Sequence, residues 1–552
     1  DEEDEEDSMF NTDMTPPTTN YFPEVKEPQE SGVRLLIGGN FGRIRSRIAT
    51  TRKCVTSPMT WRAERLQRPY CFTSKEEYAQ NIIPNTDGTA VASYNSNIYT
   101  GQFSEDSSFY YTCAQDFRLH IFDTTSPPVP SLHQTRGYRS RDDPGLMTTM
   151  NVKNTIQGRP GRWTITDANL SPDNQRMIYS SITPTVYMTS TTEDFPQQIP
   201  LYFANPRRRG IWDYDSDMFG IWSCRFSADG KEVVAGGDGH IFVYDLDANR
   251  KSVSIQAHTD DINSCCWADT SSGNVLVSAS DDTFIKVWSS RDRRSLGSSS
   301  KPAGVLVGHT EGVTYVSPKG DGRYVISNGK DQAVRLWDLR KMRSSEDFES
   351  FQDKSYSIRG FDYRYSRYPP PRYKAHPKDC SVMTYRGHAV LHTLIRCRFS
   401  PAETTGGKYI YSGSFDGRIH IWSLDGRVVQ VLDRANTLPM SFDPSAPEVR
   451  DDHSTQRRRL SVTVRDVSWH SQEPVLLSAG WEGNTGGSIV ARHEWKGLTK
   501  LHGSLEDWVE KSHQESKERP HFCTREPSDR LSRVIRSMPG GLYDDGVDSD
   551  EG

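Results

Sequence analysis

The sequence predicts an all-β fold: a seven-bladed β-propeller with flexible N- and C-terminal extensions and inserts between blades. Three observations predict it. First, an Asp stands six residues before a strand-closing aromatic five times over: Asp116 and Phe122, Asp238 and Tyr244, Asp282 and Trp288, Asp331 and Trp337, Asp416 and Trp422. Second, a His and a Ser recur in step with the last three of these pairs. Third, short β-branched or aromatic runs follow Gly-rich turns, and few stretches of the repeat region show helical periodicity.

The spacing of about 40–50 residues, with Gly-His and Trp-Asp markers, is the signature of a WD-repeat propeller. The first blade centres on "NIYTGQFSEDSSFYYTCAQDFRLHIFD", and the second is "WTITDANLSPDNQRMIYSSITPTVYM". The third runs from Gly220 to Asp245, with Val234 where a Ser is expected. "SADG" (227–230) and "KGDG" (319–322) read as hairpin turns that tolerate positive φ. "GRIHIW" sets Ile419 and Ile421 against Arg418 and His420, the period of a half-buried strand. In the seventh blade Glu482 replaces the Asp, "NTGG" interrupts the last strand, and the aromatic closure slides to Trp495.

The fourth, fifth and sixth blades each carry a full polar set: His258, Ser278, Asp282 and Trp288; His309, Ser327, Asp331 and Trp337; His388, Ser412, Asp416 and Trp422. The Ser lies four residues before the Asp each time. Such a relay ties the loop approaching a blade to its inner strands and satisfies polar groups that folding would otherwise bury unpaired. Ser, His and Asp also compose a nucleophilic triad. An active site, however, occurs once, and this set occurs three times beside a Trp.

Other chemistry fails on its own spacing. "DYDSDMFG" (213–220) begins like a Ca²⁺ loop with Asp213, Asp215 and Asp217, but Met218 replaces the Gly and Cys224 the Glu. "GGNFGR" (38–43) lacks the Lys-Ser/Thr of a phosphate loop. The nine cysteines form no Cys-x-x-Cys pair, so reduced thiols of an intracellular protein are expected. No run of about 18 apolar residues is present, so no membrane-spanning helix is expected. The net charge of -6 argues against a polyanion binder. A binding platform with no catalytic residues, cofactor or metal is the better class.

Around the propeller, assigned to 81–496, the composition changes. Residues 1–42 read as a disordered acidic segment opening with DEEDEED, and 43–80 as a basic arm, either a helix or a solvated, partner-docking or nucleic-acid-binding stretch. Inserts are read at about 124–160, 189–218, 341–381 and 433–460, and a tail at 497–552. In the third insert, Tyr363, Tyr365, Tyr368 and Tyr373 interleave with Arg364, Arg367, Arg372 and Lys374. The stretch suits a strap along the rim, a protein contact or a nucleic-acid contact. Tyr363, Arg364, Tyr365 and Arg367 are its candidate client-binding residues.

"SVMTYRGHAVLHTLIRCRFSP" (381–401), "VRDVSWH" (464–470) and "GDGRYVISNGKDQAVRLWDLR" (320–340) resemble the WD repeat-containing protein 23 family of cullin-4-associated substrate receptors. The similarity runs from about residue 98 to 485. The resemblance implies a subunit that joins a cullin-4 RING ubiquitin ligase through the large damage-specific DNA-binding adaptor and presents an unidentified client protein for ubiquitination. The chemistry would take place on other subunits. The family's sixteen-residue docking box, ending Trp-Asp-x-Arg, is matched by 325–340, "VISNGKDQAVRLWDLR". Trp337, Asp338, Leu339 and Arg340 are therefore the expected adaptor contacts, with Arg340 on a rim and its fork of donors outward. One blade earlier the box reads Trp288-Ser289-Ser290-Arg291, without its Asp, which leaves Arg291 as a weaker contact. The family implies a location in the nucleus and cytoplasm. The alternative is a WD-repeat scaffold in an RNA-processing or chromatin assembly.

Overall fold

In a computed structural model of the chain, the structure describes residues 82–126, 145–193, 196–204, 219–269, 273–289, 301–440, 462–483 and 486–497, together with 128, 133–135 and short N-terminal pieces, chiefly 27–37. The basic arm 43–80, Arg291 and nearly all of the 497–552 tail lie outside the described residues.

Seven antiparallel sheets form the propeller. The innermost strands are Ile98–Phe103, Ile165–Leu170, Ser223–Phe226, Ile262–Trp267, Val313–Pro318, Cys397–Phe399 and Val462–Trp469. Each packs against the innermost strands of the blades on either side, so the ring closes around a central channel. Alternate side chains of each strand face neighbouring sheets, which is why the cores lie between blades. Trp337 is fully buried in one such layer with Val277, Ile285 and Leu306 of the preceding blade. Where backbones approach most closely only glycine fits: a Cβ on Gly413 would stand 2.3 Å from the Val464 carbonyl oxygen of the next blade.

Thr89–Tyr94 closes the ring. It pairs antiparallel with Ser488–Glu494 and becomes the fourth strand of the seventh blade. The chain's early and late segments thus share one sheet, and an edge that would otherwise expose unpaired backbone groups is covered. That sheet is extended by Leu146–Thr148 and His133–Thr135.

Two of the expected inserts are partly blade. The 124–160 stretch contains Asn151–Gln157, the outer strand of the first blade, and 189–218 contains Ile199–Tyr202, the outer strand of the second. Outer strands bury few side chains; in Asn151–Gln157 only Ile156 is buried. Their apolar alternation is therefore faint. The 341–381 stretch is a true excursion between Ala333–Asp338 and the outer strand Met383–Tyr385, interrupted by a short helix, Ser345–Glu349, capped by Ser344. The last insert begins with the turn Arg434–Asn436, and 441–461 lies outside the described residues.

Part of the segment expected to be disordered is ordered. Residues Glu30–Ile37 form a helix against the sixth blade: Gln29 N–H donates to the Asp425 carbonyl at 2.9 Å, and a Cβ on Gly32 would stand 2.3 Å from the Leu424 oxygen. Beyond it, Phe41 is buried beside Tyr324, ring centroids 4.9 Å apart, with the Lys319 ammonium 4.4 Å from its ring. Tertiary packing of a few apolar side chains overrides the polar composition of the surrounding segment.

Candidate functional site: the Trp-Asp rim, the strap and the channel

The relay forms as expected in two blades. In the fourth, the Trp288 indole N–H donates to Ser278 Oγ at 3.0 Å, Ser278 meets His258 Nε2 at 2.8 Å, and His258 Nδ1 meets Asp282 at 2.8 Å. Burial depresses the His258 pKa against the pull of Asp282, so the ring is neutral, with Nδ1 donating and Nε2 accepting. In the fifth blade Trp337, Ser327, His309 and Asp331 repeat the chain at 2.8, 2.7 and 3.0 Å. Burial alone would raise the Asp331 pKa, but His309 and Arg335 override it and hold the carboxylate ionised. Each Ser–His–Asp run has hydrogen-bond distances suited to a triad. Ser278 and Ser327 are nevertheless fully buried, each accepting from a Trp, so neither hydroxyl is presented to a substrate.

The expected third relay, His388, Ser412, Asp416 and Trp422, is not formed. His388 Nε2 instead donates to Asn328 Oδ1 of the preceding blade at 2.8 Å, while the Asn328 amide reaches Ser412 Oγ at 3.4 Å. Trp422 Nε1 turns to the Arg386 carbonyl at 3.0 Å, and Asp416 caps the Arg418 N–H. The cause is the Asn328 side chain, which stands between histidine and serine. One blade earlier the residue at that strand position is Ala279, too small to intervene.

The seventh blade closes on His493, not Trp495. Register pairs Leu476 with His493, as it pairs Val325 with Trp337. His493 Nε2 meets Ser478 Oγ at 2.8 Å, and Arg434 donates to the same oxygen at 2.8 Å. The serine therefore keeps its role with two different partners. Trp495 lies one residue past the strand.

At the opposite end of the fifth-blade hairpin from these histidines, Asp338 is buried and Arg340 is not. Asp338 Oδ2 accepts from Arg323 at 2.9 and 3.1 Å, and its Oδ1 caps the Arg340 N–H at 3.1 Å, starting the turn Leu339–Lys341. Arg340 Nε reaches back to Asp338 at 3.3 Å, yet 64% of its side chain remains exposed. Leu339 is buried beneath it. Trp337, Asp338 and Leu339 thus fix the backbone, and the arginine is what the rim shows to solvent.

The 341–381 excursion climbs from that rim to the other face. Phe348 and Phe351 pack with Phe284, Val305 and Val307. Farther on, Ile358 N–H donates to Glu311 at 2.6 Å and His392 N–H to the Tyr363 carbonyl at 2.8 Å. Tyr363 is half-buried with the Lys330 ammonium 4.1 Å from its ring, Arg364 is clamped to Asp362 at 2.7 Å, and Tyr365 and Arg367 are exposed. Of the four candidate client-binding residues, two are therefore packed as a strap and two face outward.

Sequence reasoning missed the channel. Arg396 of the sixth blade bonds Asp167 of the second at 2.9 Å and Asp466 of the seventh at 3.3 Å. Arg398 reaches Asp466 at 2.5 Å, and Arg225 of the third blade bonds Asp167. Burial works against the ionised Asp167 carboxylate, but Arg225 and Arg396 more than compensate and lower its pKa. Charged residues inside otherwise strand-like "IRCRF" and "VRDVSW" were the available signal.

Comparison with known proteins adds two findings. The family model for the WD domain, G-beta repeat, matches residues 214–245, 249–289, 300–338 and 379–423, which carry the third to sixth blades. Among curated relatives, the LEC14B protein of Lithospermum erythrorhizon is 37% identical over 75% of this chain and 76% of its own length. The LEC14B homolog of Prunus armeniaca is 38% identical over 72% of each. The DDB1- and CUL4-associated factor 11 homolog of Caenorhabditis briggsae is 37% identical over 48% of this chain and 43% of its own.

Proposed function

This chain belongs to the WD repeat-containing protein 23 family, with the LEC14B proteins and the DDB1- and CUL4-associated factor 11 homologues, and from that membership we propose that it is the substrate-recognition subunit of a cullin-4 RING ubiquitin ligase. Its role is to bind the damage-specific DNA-binding adaptor with one rim and to hold a client protein for ubiquitination. The propeller contributes position rather than chemistry, and bond-making belongs to the RING subunit and its conjugating enzyme. The complex would work in the nucleus and cytoplasm.

One observation carries the reading: a buried Asp338 that fixes the backbone beneath an exposed Arg340. A guanidinium presented on a rigid turn loses little freedom on docking and offers a planar fork to a carboxylate or carbonyl of a partner. The names of the relatives supply the class of partner. The strap gives the opposite face a surface of its own, with Tyr365 45% exposed.

The test is quantitative affinity capture with proteasome and neddylation inhibited. The wild-type chain should recover the adaptor and cullin-4. Arg340→Ala should reduce that recovery about tenfold, the loss of one strong charge-assisted contact, and adding Arg291→Ala should reduce it further. Undiminished recovery by the double variant would remove this rim from the interface, and absence of both partners from the wild-type capture would overturn the reading.

A further inference from the structure

The face opposite Arg340 holds a ring of side chains around the channel mouth. Tyr99 of the first blade contacts Trp163 of the second, edge on, with centroids 5.3 Å apart. Trp163 contacts Trp222 of the third at 6.5 Å; the Trp222 backbone N–H donates to the Gly236 carbonyl at 2.9 Å, and Asp261 of the fourth accepts from the nearby Asp238 N–H at 3.1 Å. Beside Asp261 stand Asp260 and Asp281, and Asp281 pairs with Lys330 of the fifth blade at 2.7 Å. Lys330 meets Tyr363 of the strap, which lies within electrostatic reach of Tyr99. One arc of the mouth is aromatic and the facing arc is acidic.

The Arg465 guanidinium lies 4.7 Å from the Tyr99 ring, but among the described residues no cation stands over Trp163 or Trp222. Lys330 pairs with Asp281 and acts on Asp260, and burial together with Asp260 and Asp281 pushes the Asp261 pKa up to about 6. Tyr99 is 2% exposed, yet its hydroxyl has no hydrogen-bond partner among the described residues; nor does the indole N–H of half-buried Trp163. Trp163 also holds a left-handed backbone, φ 67°, which a bulky residue adopts only when its surroundings impose it. The fourth-blade carboxylates attract positive charge, and the tryptophan faces stabilise a cation placed over them.

We propose that this mouth binds a cationic side chain, an arginine or lysine of a partner protein, between Trp163 and Trp222 on one side and Asp260 and Asp261 on the other. The inference deepens the receptor reading by giving the chemistry of the client contact, and it rests on that reading only for the partner's role as a client. Arginine fits better than lysine because its planar head stacks on indole while its edge meets a carboxylate.

The experiment is fluorine NMR of the full chain labelled with 5-fluorotryptophan, with Trp163 and Trp222 assigned by single Trp→Phe variants. Acetyl-Gly-Arg-Gly-amide should shift those two resonances, and the lysine analogue should do so more weakly. The norleucine and glutamate analogues should leave them in place. Exposed Asp260 provides a variant that spares the core: Asp260→Lys should weaken arginine-peptide binding at least about tenfold with unchanged thermal unfolding. Arg340→Ala should bind the peptide normally while losing the adaptor, which separates failure of this site from failure of the ligase reading. Equal shifts with norleucine, preference for glutamate, no shift with any peptide, or undiminished binding by Asp260→Lys would each overturn the proposal.

Discussion

His388 Nε2 donates to Asn328 Oδ1 at 2.8 Å, joining the sixth blade to the fifth through a bond that replaces the histidine's expected serine. Both side chains are buried, and burial drives the His388 pKa down to about 3, so the bond is made by a neutral ring. The pair should behave as one energetic unit. Asn328→Ala and His388→Gln should each cost about 1–3 kcal/mol. In a double-mutant cycle their effects should fall short of additive by at least about 0.5 kcal/mol. Additivity in denaturant unfolding would show that the two side chains are not coupled.

The relay serines should differ by blade. Ser278→Ala removes the acceptor of the Trp288 N–H and the partner of His258, leaving two buried polar groups unsatisfied, and should cost about 2–4 kcal/mol. Ser412→Ala should cost about 1 kcal/mol or less, because the Trp422 indole N–H and His388 Nε2 are bonded elsewhere. Comparison of the two unfolding midpoints checks this, and equal losses would contradict the broken third relay.

The propeller should lose stability as pH falls below about 6.5. Burial lowers the pKa values of His120, His388 and His493 to about 3 and of His420 to about 4. The unfolded chain therefore binds more protons than the folded one between those values and the free-histidine value, and stability rises with pH across that window. Each ring can contribute up to about 2 kcal/mol between pH 6.5 and 5. Asp261 and Glu311 work in the other sense, raised by burial to about 6 and 7, and offset part of the slope. Thermal midpoints should fall from pH 7 to 5, and His120→Gln should flatten the dependence.

Arg340→Ala should leave the unfolding midpoint within about 0.5 kcal/mol of wild type, since an exposed side chain on a surface pair contributes little. Asp338→Ala should cost more, about 1–3 kcal/mol, because Arg323 loses this carboxylate and the turn its cap. Together the two variants separate presentation of the arginine from the arginine itself.

In the channel, Asp167→Ala should cost about 3–5 kcal/mol by leaving Arg225 and Arg396 facing each other without their shared anion. Denaturant unfolding of the variant measures it.

Much of this protein was legible from spacing. The six-residue step from Asp to aromatic located the third strands of five blades, and the two complete relays of the fourth and fifth blades followed from the same alignment. The surface position of Arg340 was legible too, because it lies two residues beyond a strand whose Trp must be core. Outer strands such as Asn151–Gln157 were not, since they bury too little to show a period. The helix Glu30–Ile37 was hidden by its polar surroundings, and it is placed by contacts with residues almost 400 positions away.

By itself the sequence determined the all-β class, the number of blades and the internal wiring of two of them, because those depend on periodicities within about 40 residues. Only the tertiary structure decided what passes between blades: Thr89–Tyr94 closing the seventh sheet, Asn328 displacing a serine, His493 standing in for a tryptophan, and Arg396 spanning the channel to Asp167. Such contacts depend on which side chains the ring brings face to face. No local period encodes that, and the distances that set it exist only once all seven sheets are packed.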